Sequence, residues 1–361
     1  MTQKIWIRHP LRPFSRLPGT KLLLLHTQWQ LTAYPTLLIF SFLGEKTRDP
    51  VYLHLTNCKE IESWMVMQDL EKGRIHLFNR GKKGHFSYRL AAEEGKLMLR
   101  VDRCPDEGVT LFWAGKKKEL QRKEAWQIPV TIAPFKVTAR EKIHFGCHKS
   151  QDWELIRRRG QLREIIPLWL ALSQQIPEAC SDRTPMPPML DELSLLIQKG
   201  AQQDIAAVLV RLFRLCFDTM LLPYASDVHH WGSSGQAPEL KPVSLALLRY
   251  SGALLRSLFF QVDAEGRGVV LPCLPNELPA GRLVGLDRLP GVTIDLEWSK
   301  KRVRRLILTA KETKEVRFCF STKEVSFRFR KTARDRGSTQ DVNAPLSLEA
   351  GERYCLDCFQ R

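Results

Sequence analysis

The chain of 361 residues carries 56 lysines and arginines against 39 aspartates and glutamates, which gives a formal net charge of +17. Hydrophobic residues make up 43% of it and prolines number 21, so the composition excludes a largely disordered protein. The apolar runs are too short to cross a bilayer, and no signal-peptide pattern follows the N-terminus. We expect two or three folded domains in a cytoplasmic protein, with export by a non-standard route as the alternative.

Residues 1–145 predict a β-sandwich domain. Short alternating or apolar runs are separated there by glycine, proline, asparagine and aspartate, and many short strands at regular spacing are typical of a sandwich. The predicted strands are residues 4–7, 22–26, 36–42, 51–55, 74–78, 86–90, 96–101 and 109–113.

Residues 146–262 change to the periodicity of helices, which predicts a helical domain. Between Trp153 and Gln174, one broad apolar face is predicted from Ile156, Leu162, Ile165, Leu168 and Leu172. Two further segments, 191–198 and 205–222, predict a helical hairpin, with Asp204 as the N-cap of the second helix. Residues 242–260 predict another helix.

Residues 263–361 predict an antiparallel β-domain. Segments 316–320 and 325–330 alternate and predict a hairpin, whose Arg317, Arg328 and Arg330 point outward. Its inward positions are Val316, Phe318, Phe320, Val325, Phe327 and Phe329. Residues 348–356 predict the last strand.

A stretch rich in proline and glycine joins the helical and C-terminal parts. The residues that carry its pattern are Pro272, Pro275, Gly281, Val284, Gly285, Leu286, Gly291, Asp295 and Trp298. The pattern resembles the passage from the catalytic barrel to the C-terminal β-domain in bacterial inverting alpha-L-fucosidases and related (α/α)6-barrel glycoside hydrolases. A second match is Leu348 to Leu356, which resembles the last strand of that β-domain. The resemblance implies a sandwich, a helical barrel and a β-domain in this order, with structural roles for Asp295 and Trp298.

The length of the helical part argues against a complete barrel. Twelve helices of about 11 residues with their loops need roughly 160–230 residues, whereas about 110 are available, enough for five or six helices. Inverting glycosidases hold an acid and a base about 6.5–9.5 Å apart on either side of the sugar. An incomplete barrel lacks opposing walls, so we expect catalysis to be lost or altered.

The loop between two predicted helices contains the most site-like cluster of residues. Its catalytic candidates are Asp227 and His230, with Glu239 farther on, and Trp231 and His229 are the candidates for contacting a sugar. A second cluster combines His144, Cys147 and His148, but neighbours in one turn rarely have the geometry of a nucleophile and its base. The alternative for both clusters is a purely structural role.

Metal and cofactor binding are not expected. The nine cysteines are dispersed, which favours reduced thiols. Cys355 and Cys358 form a lone C-x-x-C pair, and a structural zinc site usually needs a second pair or suitably spaced histidines. We interpret the two as incidental thiols at a fraying C-terminus.

Three functions agree with these observations. The first is a degenerate fucosidase-like protein that binds a carbohydrate or a protein partner. The second is an active glycosidase or sugar phosphorylase that a second subunit completes by oligomerisation. The third is a protein that binds nucleic acid or another anionic polymer or surface, because the net charge favours anionic partners. Its candidate anion-binding residues are Arg304, Arg305, Arg317, Arg328 and Arg330.

Overall fold

The protein is described by a computed structural model that covers residues 4–43, 48–55, 61–82, 84–132, 141–176, 188–214, 245–320, 324–332 and 334–360. These residues form a β-rich N-terminal part, helices in the middle and a β-rich C-terminal part. The multidomain β plus α class predicted from the sequence is confirmed.

The N-terminal part contains thirteen strands within the described residues. They are β1 (Phe14–Ser15), β2 (Thr20–Leu23), β3 (Trp29–Ala33), β4 (Leu37–Phe42), β5 (Val51–Leu55), β6 (Ile61–Asp69), β7 (Arg74–Gly81), β8 (Gly84–Glu93), β9 (Lys96–Arg103), β10 (Val109–Trp113), β11 (Lys116–Leu120), β12 (Ala125–Thr131) and β13 (Lys142–His144).

Twelve of these strands make a β-sandwich. One antiparallel sheet has the order β1-β6-β7-β8-β9-β12, and the other has the order β11-β10-β5-β4-β3-β2. Alternation along the strands places every second side chain inside, as with Ile75 and Leu77 in β7, and both sheets contribute to one core.

The predicted strand at residues 4–7 is wrong. Ile5 instead packs on Ile307 and Cys355, so this segment lies against the C-terminal part.

Five helices follow in the described part of the chain. They are α1 (Trp153–Arg159), α2 (Leu162–Ser173), α3 (Pro188–Lys199), α4 (Gln202–Leu212) and α5 (Leu245–Ser257). The predicted apolar face of the first segment is buried, but Gly160, with a φ of 58°, divides it into α1 and α2. Asp204 is not an N-cap, because α4 begins at Gln202 and Asp204 lies in its first turn. Helices α3 and α4 pack on each other.

The C-terminal part holds eleven strands in the described residues. They are β14 (Phe260–Val262), β15 (Gly268–Val270), β16 (Gly281–Leu289), β17 (Val292–Ser299), β18 (Arg302–Ala310), β19 (Lys314–Val316), β20 (Phe318–Phe320), β21 (Ser326–Arg330), β22 (Ser338–Asp341), β23 (Leu346–Leu348) and β24 (Arg353–Gln360).

A seven-stranded antiparallel sheet with the order β13-β16-β17-β18-β24-β21-β22 dominates this part. Its first strand, β13, precedes the helices in the chain. The smaller sheets are β14-β15-β20, in which β15 and β20 are parallel, and β19-β23. Side chains of this sheet and of the helices belong to one continuous core. None of the described helices is long and apolar enough to span a membrane.

Two predictions about the C-terminal strands are corrected. The segments at 316–320 and 325–330 do not form a hairpin, because β20 pairs with β15 whereas β21 lies between β24 and β22. Val325, predicted to be inside, is 54% exposed and lies just before the first residue of β21. The chain does not fray at Cys355 and Cys358, because β24 is hydrogen-bonded on both sides, to β18 and β21.

In the stretch that resembles the glycosidase family, Trp298 and Asp295 both make contacts within the fold. Trp298 is buried, and its indole N–H donates to the carbonyl oxygen of Leu278 at 3.0 Å. Asp295 accepts a hydrogen bond of 2.9 Å from the backbone N–H of Gly285, a residue with a φ of 75° at an irregularity between β16 and β17. Burial raises the pKa of Asp295, and the Gly285 bond opposes this shift. The Asp295 side chain thus supplies a hydrogen bond between β17 and β16 where their pairing is irregular.

Candidate functional site

The loop that sequence reasoning favoured as a site is outside the described residues. Asp227, His229, His230, Trp231 and Glu239 all fall in segment 215–244. Their catalytic and sugar-binding roles therefore stay predictions.

Two of the predicted anion-binding arginines, Arg328 and Arg330, share a carboxylate. Asp357 of β24 accepts a hydrogen bond of 2.8 Å from Arg328 and one of 2.5 Å from Arg330. The prediction that Arg330 faces outward is wrong, because its side chain is only 12% exposed. Asp357 thus balances one of the two positive charges within the sheet.

The other three predicted arginines lie on β18 and beside β20. Arg305 donates a 2.7 Å hydrogen bond to Glu297, and Arg317 is 3.7 Å from Glu315. Arg304 is exposed. Arg305 and Arg328 lie opposite Asp357 on the two neighbouring strands. Anion binding by the five arginines stays a prediction.

An open cleft with a volume of about 670 Å³ lies elsewhere, where the N-terminal segment crosses the edge of the seven-stranded sheet. Residues 6–9, residues 144–146 with His148, residues 280–282 and residues 297–299 line it. It thus combines an N-terminal extended segment, the turn after β13, the start of β16 and the end of β17. Distant parts of the sequence meet there because β13 pairs with β16.

Trp6 is an exposed aromatic residue in the lining of this cleft. Its side chain is 58% exposed, and Lys4 Nζ lies 5.3 Å from the ring centroid. The backbone oxygen of Trp6 accepts a hydrogen bond of 3.3 Å from Arg282. An exposed indole beside fixed polar groups is a surface on which the apolar face of a flat ligand can stack.

Glu297 is the sole carboxylate among the described residues that line the cleft. It accepts hydrogen bonds from Arg282 at 2.9 Å and Arg305 at 2.7 Å. Burial raises the pKa of Glu297, but the two arginine hydrogen bonds outweigh burial and leave this pKa below its usual value. The group is thereby kept ionised, which suits an acceptor for hydroxyl groups and not a general acid.

Three histidines form one wall of the cleft. The ring centroids of His9 and His144 are 5.3 Å apart, those of His9 and His148 are 5.2 Å apart, and those of His144 and His148 are 5.0 Å apart. One nitrogen of each ring lies within 4.8 Å of the others. His9 and His144 are half-buried, and His148 is exposed. His9 and His144 also line a second cavity of about 20 Å³.

The histidine rings are held by backbone and amide groups. His144 Nδ1 accepts from the Gly146 N–H at 3.1 Å, and His144 Nε2 lies 3.1 Å from the Cys147 carbonyl oxygen. Burial lowers the pKa of His144, the Cys147 bond opposes this, and His9 and His148 lower it further. Burial and then His148 lower the pKa of His9, against the effect of Glu71.

The arrangement does not support a Cys–His nucleophile pair, because His144 contacts the backbone oxygen of Cys147. Sequence reasoning found His144 and His148 but missed His9 and Trp6, which lie far away in the chain. Only the crossing of residues 4–13 over the C-terminal part brings them together, and no periodicity in the sequence signals such a crossing.

Comparison with known proteins concerns the C-terminal part. A family model for the glycoside hydrolase family 95, C-terminal domain, matches residues 264–356. No curated protein matches the chain. The matched segment is therefore related to glycoside hydrolases, and it covers the β-rich part that follows the helices.

Proposed function

We propose that this protein is a glycoside-hydrolase relative that binds a carbohydrate without hydrolysing it, and that the Trp6 cleft is its sugar-binding surface. The observation that carries the proposal is the exposed indole of Trp6 beside Arg282 and Glu297 in an open cleft. An aromatic ring can cover the apolar face of a sugar, while charged donors and acceptors bind its hydroxyl groups.

The state of Glu297 supports binding in preference to hydrolysis. An inverting glycosidase needs a protonated acid and a separate base. Glu297 is paired with two arginines, and its pKa lies below the usual value. Among the described residues that line the cleft there is no second carboxylate to complete such a pair.

The resemblance and the family match together motivate the choice of ligand. Residues 264–356 are related to glycoside hydrolases, and the motifs around Pro272 and Trp298 resemble alpha-L-fucosidases. We therefore propose fucosylated oligosaccharides as the ligand class. The proposed organisation is a sandwich domain at 1–145, a helical domain with an incomplete barrel at 146–262 and a β-domain at 263–361.

Isothermal titration calorimetry with fucosyllactose, and with lactose as the unfucosylated reference, tests the proposal. We expect fucosyllactose to bind and Trp6→Ala to weaken binding by at least about tenfold, or about 1.4 kcal/mol. Tyr52→Ala is a matched control, since Tyr52 is an exposed aromatic residue on β5, outside the lining of the cleft.

Two results would overturn the proposal. The first is binding that Trp6→Ala and Tyr52→Ala leave equally unchanged. The second is release of nitrophenol from a nitrophenyl alpha-L-fucoside at a rate that depends on enzyme concentration, because this result would establish hydrolysis.

A further inference from the structure

Three imidazole rings converge on one point of the cleft wall. The centroids of His9, His144 and His148 form a nearly equilateral triangle with sides of 5.0–5.3 Å. We propose that these three side chains bind a divalent transition-metal ion of the zinc type. The metal site stands on the histidine geometry and does not depend on carbohydrate binding.

The local backbone explains why two of the ligands face each other. His144 ends β13, and the chain then turns at Gly146, whose φ is 73°. A left-handed residue is tolerated there because glycine has no Cβ. The turn brings His148 back to the ring of His144, although the two residues are four positions apart in a non-helical segment.

The third ligand is positioned by one glutamine. Gln151 accepts from the backbone N–H of Arg12 at 2.6 Å, and its amide nitrogen donates to the Pro10 carbonyl oxygen at 2.8 Å. The same amide nitrogen lies 2.7 Å from His9 Nε2. The N-terminal segment is thereby fixed so that His9 lies beside His144 and His148.

The distances are within reach of coordination. Zinc binds imidazole nitrogens at about 2.0–2.1 Å with tetrahedral geometry, which places two ligand nitrogens about 3.3–3.4 Å apart. The three nitrogens here already lie within 4.8 Å of one another. Closing the site thus needs a movement of about 1.5 Å or less in any pair. Rotation of the exposed His148 side chain can supply it in the two pairs that include His148, and the half-buried rings of His9 and His144 must supply it between themselves.

The hydrogen bonds at His144 also suit a metal ligand. A coordinating histidine normally donates its other ring N–H to a carbonyl or carboxylate oxygen. His144 Nε2 already lies 3.1 Å from the carbonyl oxygen of Cys147, so Nδ1 can take the metal. At present Nδ1 accepts a hydrogen bond from the backbone N–H of Gly146. Gly146 is exposed, so its N–H can donate to a water molecule when Nδ1 binds the metal.

Binding at His9 exchanges one hydrogen bond for a metal bond. If Nε2 coordinates, Gln151 loses this contact but keeps Pro10 and Arg12 as partners. Three neutral nitrogen ligands favour zinc, copper, nickel or cobalt over magnesium or calcium, which prefer oxygen. Three protein ligands also leave a coordination position for water or a cleft ligand.

The test uses the full chain without a histidine tag. Zn²⁺ is titrated into chelator-treated protein by calorimetry, and Co²⁺ serves as a spectroscopic probe of tetrahedral coordination. We expect one ion to bind with visible cobalt absorption, and His148→Ala to weaken this binding by at least about tenfold. His148 is exposed, so this variant should fold. His85→Ala, at an exposed histidine on β8, is the matched control.

A second variant, His9→Ala, separates this site from any other metal-binding residues. Loss of the tetrahedral cobalt spectrum in both His9→Ala and His148→Ala, with its retention in His85→Ala, supports the proposal. An unchanged spectrum and unchanged Zn²⁺ affinity in both cleft variants would overturn it. Fucosyllactose binding measured with and without Zn²⁺ is read separately, so failure of the carbohydrate proposal leaves the metal result interpretable.

Discussion

Gly281 and Trp298 are paired across β16 and β17, and the indole ring covers the glycine. A Cβ added at Gly281 would lie 2.4 Å from Trp298 Cζ2 and 2.9 Å from a ring carbon of Phe145. The Trp298 ring itself is fixed by its hydrogen bond to Leu278. Glycine is therefore required here by the close approach of a ring that cannot easily move.

Gly281→Ala should destabilise the fold by about 1–3 kcal/mol, because an added methyl group overpacks this contact. Urea unfolding, followed by far-UV circular dichroism, measures the change. The same substitution in a Trp298→Leu background should cost much less, since the obstructing ring is gone. Equal costs in the two backgrounds would contradict the steric explanation.

Glu141 and Arg256 form an ion pair that links the segment before β13 to α5. Both side chains are largely buried, and the Glu141 backbone also exchanges two hydrogen bonds of 2.9 Å with Gln174. Glu141→Gln removes the negative charge and leaves Arg256 buried near Arg288. We expect a loss of about 3–5 kcal/mol, since an uncompensated buried charge is costly.

Thermal and urea unfolding of Glu141→Gln measure that loss. Glu119→Gln breaks the exposed pair with Lys117 and is the matched control. It should leave the unfolding midpoint close to that of the wild type, because solvent screens exposed ion pairs. A similar midpoint for both variants would show that the buried pair contributes little.

The sequence was sufficient for the features that depend on local periodicity. Alternation predicted strands such as β7, and the spacing of Ile156, Leu162 and Leu172 predicted a buried helical face that the structure confirms. The glycine and proline pattern marked the passage from the helices to the C-terminal sheet, because the close approach of the Trp298 ring requires a glycine at position 281.

Local periodicity could not predict which strands pair or which residues meet in the cleft. Alternation in β20 and β21 is equally compatible with a hairpin and with separate sheets, and pairing with β15 decides between them. His9 and His144 meet only through tertiary contacts. A sequence pattern records which face of an element is apolar, but it does not record which distant segment covers that face.

Asp357 should make the stability depend on acid pH. Burial raises its pKa, but hydrogen bonds from Arg328 and Arg330 outweigh burial and leave the pKa below the usual value. A folded-state pKa below the unfolded one means that the stabilisation is present above the unfolded pKa, about 3.9. It is lost as the pH falls from there through the folded-state value.

Asp357→Asn should therefore lower stability by about 2 kcal/mol at neutral pH and flatten the decline below about pH 4. Urea midpoints measured from neutral to acid pH test this. Asp106→Asn, at an exposed loop residue, is the control and should keep the wild-type profile. If Asp357→Asn lost stability at acid pH as steeply as the wild type, Asp357 would not be the group responsible for this loss.

Cys355 and Cys358 should differ sharply in reactivity although only two residues separate them. Cys355 is buried between neighbouring strands, and burial, followed by the charge of Asp357, raises its pKa to about 11, whereas Cys358 is exposed. Because the thiolate is the nucleophile, Cys355 should react with iodoacetamide at least about 100-fold more slowly near pH 8. Trypsin releases both in one peptide, so fragment-ion mass spectrometry compares them directly. Equal labelling of the folded protein would contradict the buried position of Cys355, whereas equal labelling only in urea would support it.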